Sequence, residues 1–292
     1  MLVDVQIVNA FIDGTTGGNP AGVVVDANIL TAAQKLKVAK QVGLSETAFV
    51  SASDSATIKL EFFTPTRQIA HCGHATIAAF SLLRRLGVVS EGRLSKETID
   101  GNRDILVDGD MAFMEQRAPK YTHVAPTSEL GGRVVASIGL TQEQLRSGVD
   151  PFVVNTGNSF LIVPLPDEST VTKLRPDLDL IKSLSDELDL IGYYVFSTTT
   201  KVQGRHAGAR MFAPRFGIPE EAGTGMAAGS LACFLHDYLG VEDREILIEQ
   251  GWLMKPPSPS VIKVTLELAD GQISSLMAGG SARAVSSIQV EV

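Results

Sequence analysis

Phe63-Thr64-Pro65 and, after a six-residue interval, Cys72-Gly73-His74-Ala75-Thr76-Ile77-Ala78-Ala79-Phe80-Ser81-Leu82-Leu83 form the stretch that decides the fold. The run after Cys72 has no polar face before Arg84 and Arg85, so as a helix it must be enclosed by protein on all sides. The arrangement returns later in the chain. Phe212-Ala213-Pro214 stands 149 residues after Phe63-Thr64-Pro65, and Gly225-Met226-Ala227 stands 152 residues after Gly73-His74-Ala75. Upstream, Val8-Asn9-Ala10 is matched 146 residues later by Val154-Asn155-Thr156. Three pairs in the same order, with offsets drifting by only a few residues, point to an internal duplication. The segment from Met226 to Tyr238, apolar at Ala227, Ala228, Leu231, Ala232, Phe234 and Leu235, then reads as a second enclosed helix.

Outward from this pair, the first half opens with a strand from Val5 to Ala10. It passes a glycine-rich turn, Gly17-Gly18-Asn19-Pro20-Ala21-Gly22, into the apolar strand Val23-Val24-Val25. Thr31 is an N-cap for a helix reaching Val42, with Leu36, Ala39 and Val42 on its buried face and Gly43 as its stop. Strands over Thr47 to Val50 and Thr57 to Phe63 lead to the enclosed helix, which Gly87 ends. Strands dominate what remains, so each half reads as a curved sheet wrapped round one helix, an α+β architecture of two pseudo-symmetric lobes. Pro119, Pro126, Gly131 and Gly132 mark the joining stretch, which divides the chain into residues 1–118 and 119–292. The final strand, Ser286 to Val292, is compatible with crossing back to the first lobe.

A length of 292 residues suits two domains. A net charge of −8 leaves no basic field for a polyanion, which argues against nucleic acid as a partner. The sequence offers no export signal and no uninterrupted membrane-spanning run. Two cysteines, Cys72 and Cys233, lack the spacing of a zinc site or disulfide framework, and a reducing cytoplasm is the expected compartment.

The chemistry is expected at the glycine-rich helix starts, since the N–H groups and dipole of a helix N-terminus attract anions. With the lobes face to face, two such starts would share one cleft and suit a small carboxylate-bearing substrate or a developing enolate. Glu46, in Leu44-Ser45-Glu46-Thr47-Ala48-Phe49, lies where the chain turns inward from a helix stop to an apolar strand, a place for a general acid/base. Taken alone, such a glutamate is more often a surface or capping residue. His74 occupies the first turn of the enclosed helix, with His71 close by. A thiol at Cys72 competes with Glu46 as base or nucleophile. A two-thiol racemase, however, needs a second cysteine at the matching helix start, and Gly223-Thr224-Gly225-Met226-Ala227 has none. No metal site is expected, because the histidines and Cys72 lack a fourth ligand at recognised spacing.

Together, Gly18-Asn19-Pro20-Ala21-Gly22-Val23, Leu44-Ser45-Glu46-Thr47-Ala48-Phe49, Phe63-Thr64-Pro65 with Cys72-Gly73-His74-Ala75-Thr76, and Met211-Phe212-Ala213-Pro214 with Gly223-Thr224-Gly225 resemble the PhzF-like proteins of phenazine biosynthesis. These are relatives of diaminopimelate epimerase. The resemblance implies a diaminopimelate-epimerase-like fold, a homodimer, no cofactor, and an isomerase acting on trans-2,3-dihydro-3-hydroxyanthranilate or a similar compound. It places Glu46 as the acid/base that moves a proton between substrate carbons, with His74 and Glu221 as catalytic partners that bind substrate and relay the proton. Asn19, Ser45, Gly73, Thr224, Gly225 and Met226 fall at substrate-binding positions. The epimerase relatives place thiols at the positions of Cys72 and Ala227. Where the family commonly has Asp-Pro-x-Thr-Gly-Ser, this chain has Glu221-Ala222-Gly223-Thr224-Gly225-Met226, which lengthens the acid by a methylene and removes a hydroxyl. Two other readings compete: a thiol-dependent racemase or epimerase working through Cys72, and a binding protein of the same fold without turnover.

Overall fold

Thr31 accepts a hydrogen bond from the Gln34 N–H while its own N–H reaches the Gln34 side chain, and this reciprocal cap starts a helix at Ala32. The helix runs to Val42 and closes on Gly43 at φ +71°. Its limits are those the sequence predicts, but its buried face is Lys35, Val38 and Ala39, rotated from the expected one, because Lys35 forms an ion pair with Glu61 on a neighbouring strand.

The computed structural model describes residues 1–292. In chain order the elements are β1 (Leu2–Ala10), β2 (Asn19–Val24), α1 (Ala32–Val42), β3 (Thr47–Ser51), β4 (Ile58–Phe63), β5 (Gln68–Ile69), α2 (Gly73–Arg85), β6 (Gly92–Thr98), β7 (Gly101–Asp108) and β8 (Met111–Arg117). There follow β9 (Lys120–His123), α3 (Glu129–Ser137), β10 (Phe152–Asn155), β11 (Ser159–Pro164), α4 (Glu168–Lys173), α5 (Leu178–Glu187), β12 (Gly192–Ser197) and β13 (Ala207–Ala213). The chain ends with β14 (Ile218–Glu221), α6 (Gly225–Leu239), β15 (Glu245–Gln250), β16 (Ser260–Ala269) and β17 (Gln272–Glu291). Two units result, one of Met1–Glu115 with Gly279–Val292 and one of Gln116–Ala278.

In the first unit β2 pairs with β1, β2 runs parallel to β3, β3 antiparallel to β4, β4 parallel to β6, and β6, β7 and β8 form a meander. β17 pairs with β1 from Leu2↔Glu291 to Ala10↔Ala282 and also with β8, so this sheet closes into a barrel. A single cut after residue 118 therefore does not describe the chain: both flanks of the barrel gap, β1 and β8, bond to Gly279–Val292. Helix α2 fills the barrel, with every residue from His74 to Leu83 buried. Close approach is built in at Gly22, where a Cβ would stand 2.8 Å from Thr47 Oγ1.

The second unit repeats the pairings. β11 runs parallel to β12, β12 antiparallel to β13, β13 parallel to β15, and β15 antiparallel to β16. Helix α6 occupies the place of α2 and packs on β10, β11, β15 and β16. The duplication seen in the sequence is thus a duplication of topology. Helices α3 and α5 cover an outer apolar layer that includes Val134, Ile138, Ile181 and Leu184.

Two local expectations change. Asn19 to Gly22 belong to β2 rather than to the preceding turn, since that strand pairs with β1 from Asn19 onward. Gly131 and Gly132 lie inside α3, which Ser128 caps by accepting the Gly131 N–H. Gly131 is required there because any side chain would collide with the Ala125 backbone.

Candidate active site

The site in the first unit is assembled by the register of two strands and one helix start. Gly22 on β2 donates its N–H to the Glu46 carbonyl at 3.1 Å, which fixes the chain just before β3 and turns the Glu46 side chain inward. The side chain is buried, 7% exposed, and its Oε2 accepts no hydrogen bond. His74, in the first turn of α2, is buried too and brings Nε2 to 3.4 Å from that oxygen. On the other side of the ring, His74 Nδ1 is 3.5 Å from Cys72 Sγ. The imidazole therefore stands between a thiol and a carboxylate.

Ligand atoms of Glu46, Cys72 and His74 all lie within 4.8 Å of one another. The ring turns opposite nitrogens to its two partners. This arrangement suits proton movement along Cys72–His74–Glu46.

Helix α2 starts at Cys72 without any side-chain cap, which leaves the end of the helix open to an anionic group. Gly73 follows in the same turn. Ser45 is exposed in the loop just before Glu46, and Asn19 is buried at the start of β2, its backbone paired with Ala10.

The corresponding place in the second unit gathers Glu221, Thr224, Gln250 and Tyr194. Thr224 Oγ1 donates to Glu221 Oε2, and the Thr224 N–H donates to Gln250 Oε1 at 3.1 Å. Gln250 Nε2 returns a bond to the Glu221 carbonyl at 2.7 Å, while the Tyr194 hydroxyl donates to Gln250 Oε1 at 2.8 Å. Burial, with the nearby Glu221 adding to it, pushes the Tyr194 phenol well above its ordinary range, so it stays a donor. The start of α6 at Thr224 also has no side-chain cap. Gly225 is buried and its carbonyl accepts Gln116 Nε2 at 3.0 Å. Met226 is half-buried beside Gly157.

The structure thus brings Glu46, Gly73 and His74 together in one unit, and Glu221, Thr224, Gly225 and Met226 in the other. Sequence reasoning missed Tyr194, Gln250 and, under α2, Lys96. For Lys96 a signal existed: alternation along Leu94, Lys96 and Thr98 puts all three on one face of a strand.

Comparisons with known proteins follow the same lines. Residues 8–287 match the family described as "Phenazine biosynthesis-like protein". An uncharacterized isomerase of Deinococcus radiodurans is 31% identical over 283 residues, covering 94% of this chain and 90% of that protein. The trans-2,3-dihydro-3-hydroxyanthranilate isomerase of Pseudomonas chlororaphis is 28% identical over 261 residues, 86% of this chain and 87% of that one. Among solved structures, a Bacillus anthracis phenazine biosynthesis protein of the PhzF family superposes with a TM-score of 0.88 at 27% identity, each chain covered in full.

Proposed function

This chain belongs to the phenazine biosynthesis-like protein family and is an isomerase of the PhzF kind, and from that premise we propose that it moves a proton between two carbons of a small carboxylate, with Glu46 as the acid/base. One observation carries the assignment. Glu46 Oε2 is buried, accepts no hydrogen bond, and sits beside His74 Nε2. A buried carboxylate oxygen without a donor is costly unless a ligand completes it. A substrate C–H or O–H group delivered to that oxygen would do so.

In this reading Glu46 removes a proton from one carbon and returns it to another. His74 hydrogen-bonds the substrate and relays the proton. The open start of α2 at Gly73 receives the substrate carboxylate, where fixed N–H dipoles stabilise negative charge as it develops. Asn19 and Ser45 are read as further binding groups. Glu221, Thr224, Gly225 and Met226 are read as binding groups. Met226 offers a thioether and a methyl where the family has a hydroxyl, which removes a hydrogen-bonding group from the start of α6. A compound resembling trans-2,3-dihydro-3-hydroxyanthranilate is the starting point.

The test is hydrogen exchange from deuterated solvent into the carbon skeleton of a panel of small unsaturated and hydroxylated carboxylates. Glu46→Gln keeps shape but not basicity, and should slow exchange at least ~100-fold while binding changes little. Equal exchange in a well-folded variant would remove Glu46 from the mechanism. The 3.5 Å contact between Cys72 and His74 supports a second reading, a one-thiol epimerase. Cys72→Ala distinguishes the two: exchange that survives it excludes the thiol as the base.

A further inference from the structure

Under the start of α2 lies a charged group that the proton-transfer reading does not use. Lys96 on β6 is completely buried, at 0% exposure. Its ammonium donates to Thr76 Oγ1 at 2.6 Å, approaches His71 Nδ1 at 3.3 Å and Met114 Sδ at 3.6 Å, and lies 5.1 Å from the centre of the Phe62 ring. None of these partners is a carboxylate. A buried ammonium so placed is expensive to hold, and a methionine would fill the same space at lower cost.

A chain of bonds leads from it to the backbone of Cys72. Thr76 Oγ1, which receives Lys96, donates in turn to the Cys72 carbonyl at 2.6 Å. Cys72 then meets His74 on the side of the ring opposite Glu46. The groups around the ammonium are His71 from the segment before α2, Thr76 from α2, Phe62 from β4, Met114 from β8, and Arg103 from β7, which the register sets opposite Lys96; Cys72 comes next, through the Thr76 hydroxyl. Among the titratable groups of this set and its extension only Cys72 can carry negative charge.

Resting on the reading of Glu46 and His74 as the proton-transfer pair, we propose that Lys96 is a positioning residue: seated beneath the first turn of α2, it favours a thiolate at Cys72 and so keeps the shared proton of the Cys72–His74 pair on the imidazole. The proton on Nδ1 then leaves Nε2 as the nitrogen that exchanges a proton with Glu46 or substrate. The direction of the Lys96 shift agrees with this placement. Burial pushes Lys96 down to about 7, a negative Cys72 works against that shift, and Arg103 adds to it. Interaction free energy is mutual, so the ammonium that Cys72 stabilises also stabilises the thiolate. His71 remains a neutral acceptor because burial, Lys96 and Arg103 push it to about 2.

The chain has two cysteines, so 13Cβ-cysteine labelling of the full-length protein gives two signals whose shifts report thiol or thiolate directly. Cys233 serves as reference: burial pushes its thiol far up, and it should not move. Between about pH 5 and pH 10, the Cys72 midpoint should lie higher in Lys96→Met than in the native protein by at least ~1 pH unit, a tenfold change in thiolate equilibrium. Lys96→Gln, which keeps a donor for Thr76 but no charge, should show the same shift; thermal melting checks that both fold. Substrate exchange should fall ~10-fold in kcat with KM little altered. An unchanged Cys72 titration in either folded variant overturns the inference. The titration needs no substrate, so a shifted Cys72 in a protein that exchanges no substrate hydrogen leaves this inference standing and removes the isomerase reading of Glu46. Normal exchange with an unshifted Cys72 does the reverse.

Discussion

Lys96 and His71 give the stability of the protein a definite pH dependence. Lys96 falls from 10.5 to about 7 on folding. Between those values the unfolded chain binds a proton that the folded one does not, so stability rises with pH through that window, and the full penalty is present below about 7. His71, lowered from 6.5 to about 2, adds a second loss as pH falls below 6.5. Lys96→Met should therefore stabilise the protein at pH 6 by on the order of 3 kcal/mol and by much less at pH 10. Urea unfolding at the two pH values measures the difference, and a variant weaker than native at pH 6 would contradict it. At this scale the sequence is least readable. Glu46 stands out only through the resemblance, since nothing in its local pattern separates it from a capping glutamate. Tyr194 and Gln250 reach Thr224 only through pairings of residues 26 to 56 apart, which no local window contains.

At the scale of elements, α1 was legible from Thr31 and Gly43 because capping and left-handed backbone are local demands. Its buried face was not, because Lys35 is admitted to the interior by Glu61, a partner on another element. Helix α3 escaped notice for the opposite reason: Gly131 and Gly132 read as a linker, whereas Gly131 serves close packing against Ala125. Two substitutions test these local causes. Thr31→Ala removes the cap and should cost ~1 kcal/mol without affecting exchange. Gly22→Ala drives a methyl into Thr47 Oγ1 at the point where the Gly22 N–H holds the Glu46 carbonyl. It should cost ~1–3 kcal/mol and slow substrate exchange as well. A destabilised variant with native exchange would show that the β2–β3 contact does not position Glu46.

Across the whole molecule, the repeat was readable because matched motifs recur at nearly constant offset, and the same parallel and antiparallel pairings bear it out. The route of the last strand was not, since a strand carries no mark of which sheet it joins. Deleting residues 286–292 removes the partners of Leu2 to Ile7 and the buried Val290. Limited proteolysis should then cut within residues 1–115 while residues 116–278 resist, and equal resistance of both would refute the prediction.

The closure of the first barrel by Gly279–Val292 also bears on synthesis. The ribosome delivers β1 to β8 first, yet their sheet has a gap until β17 emerges; Val292 even donates its N–H to the Met1 carbonyl. Residues 116–278 are contiguous and meet no such delay. The first unit, begun before residues 116–278, is thus completed after them, and Glu46 gains its final surroundings only once β17 has emerged.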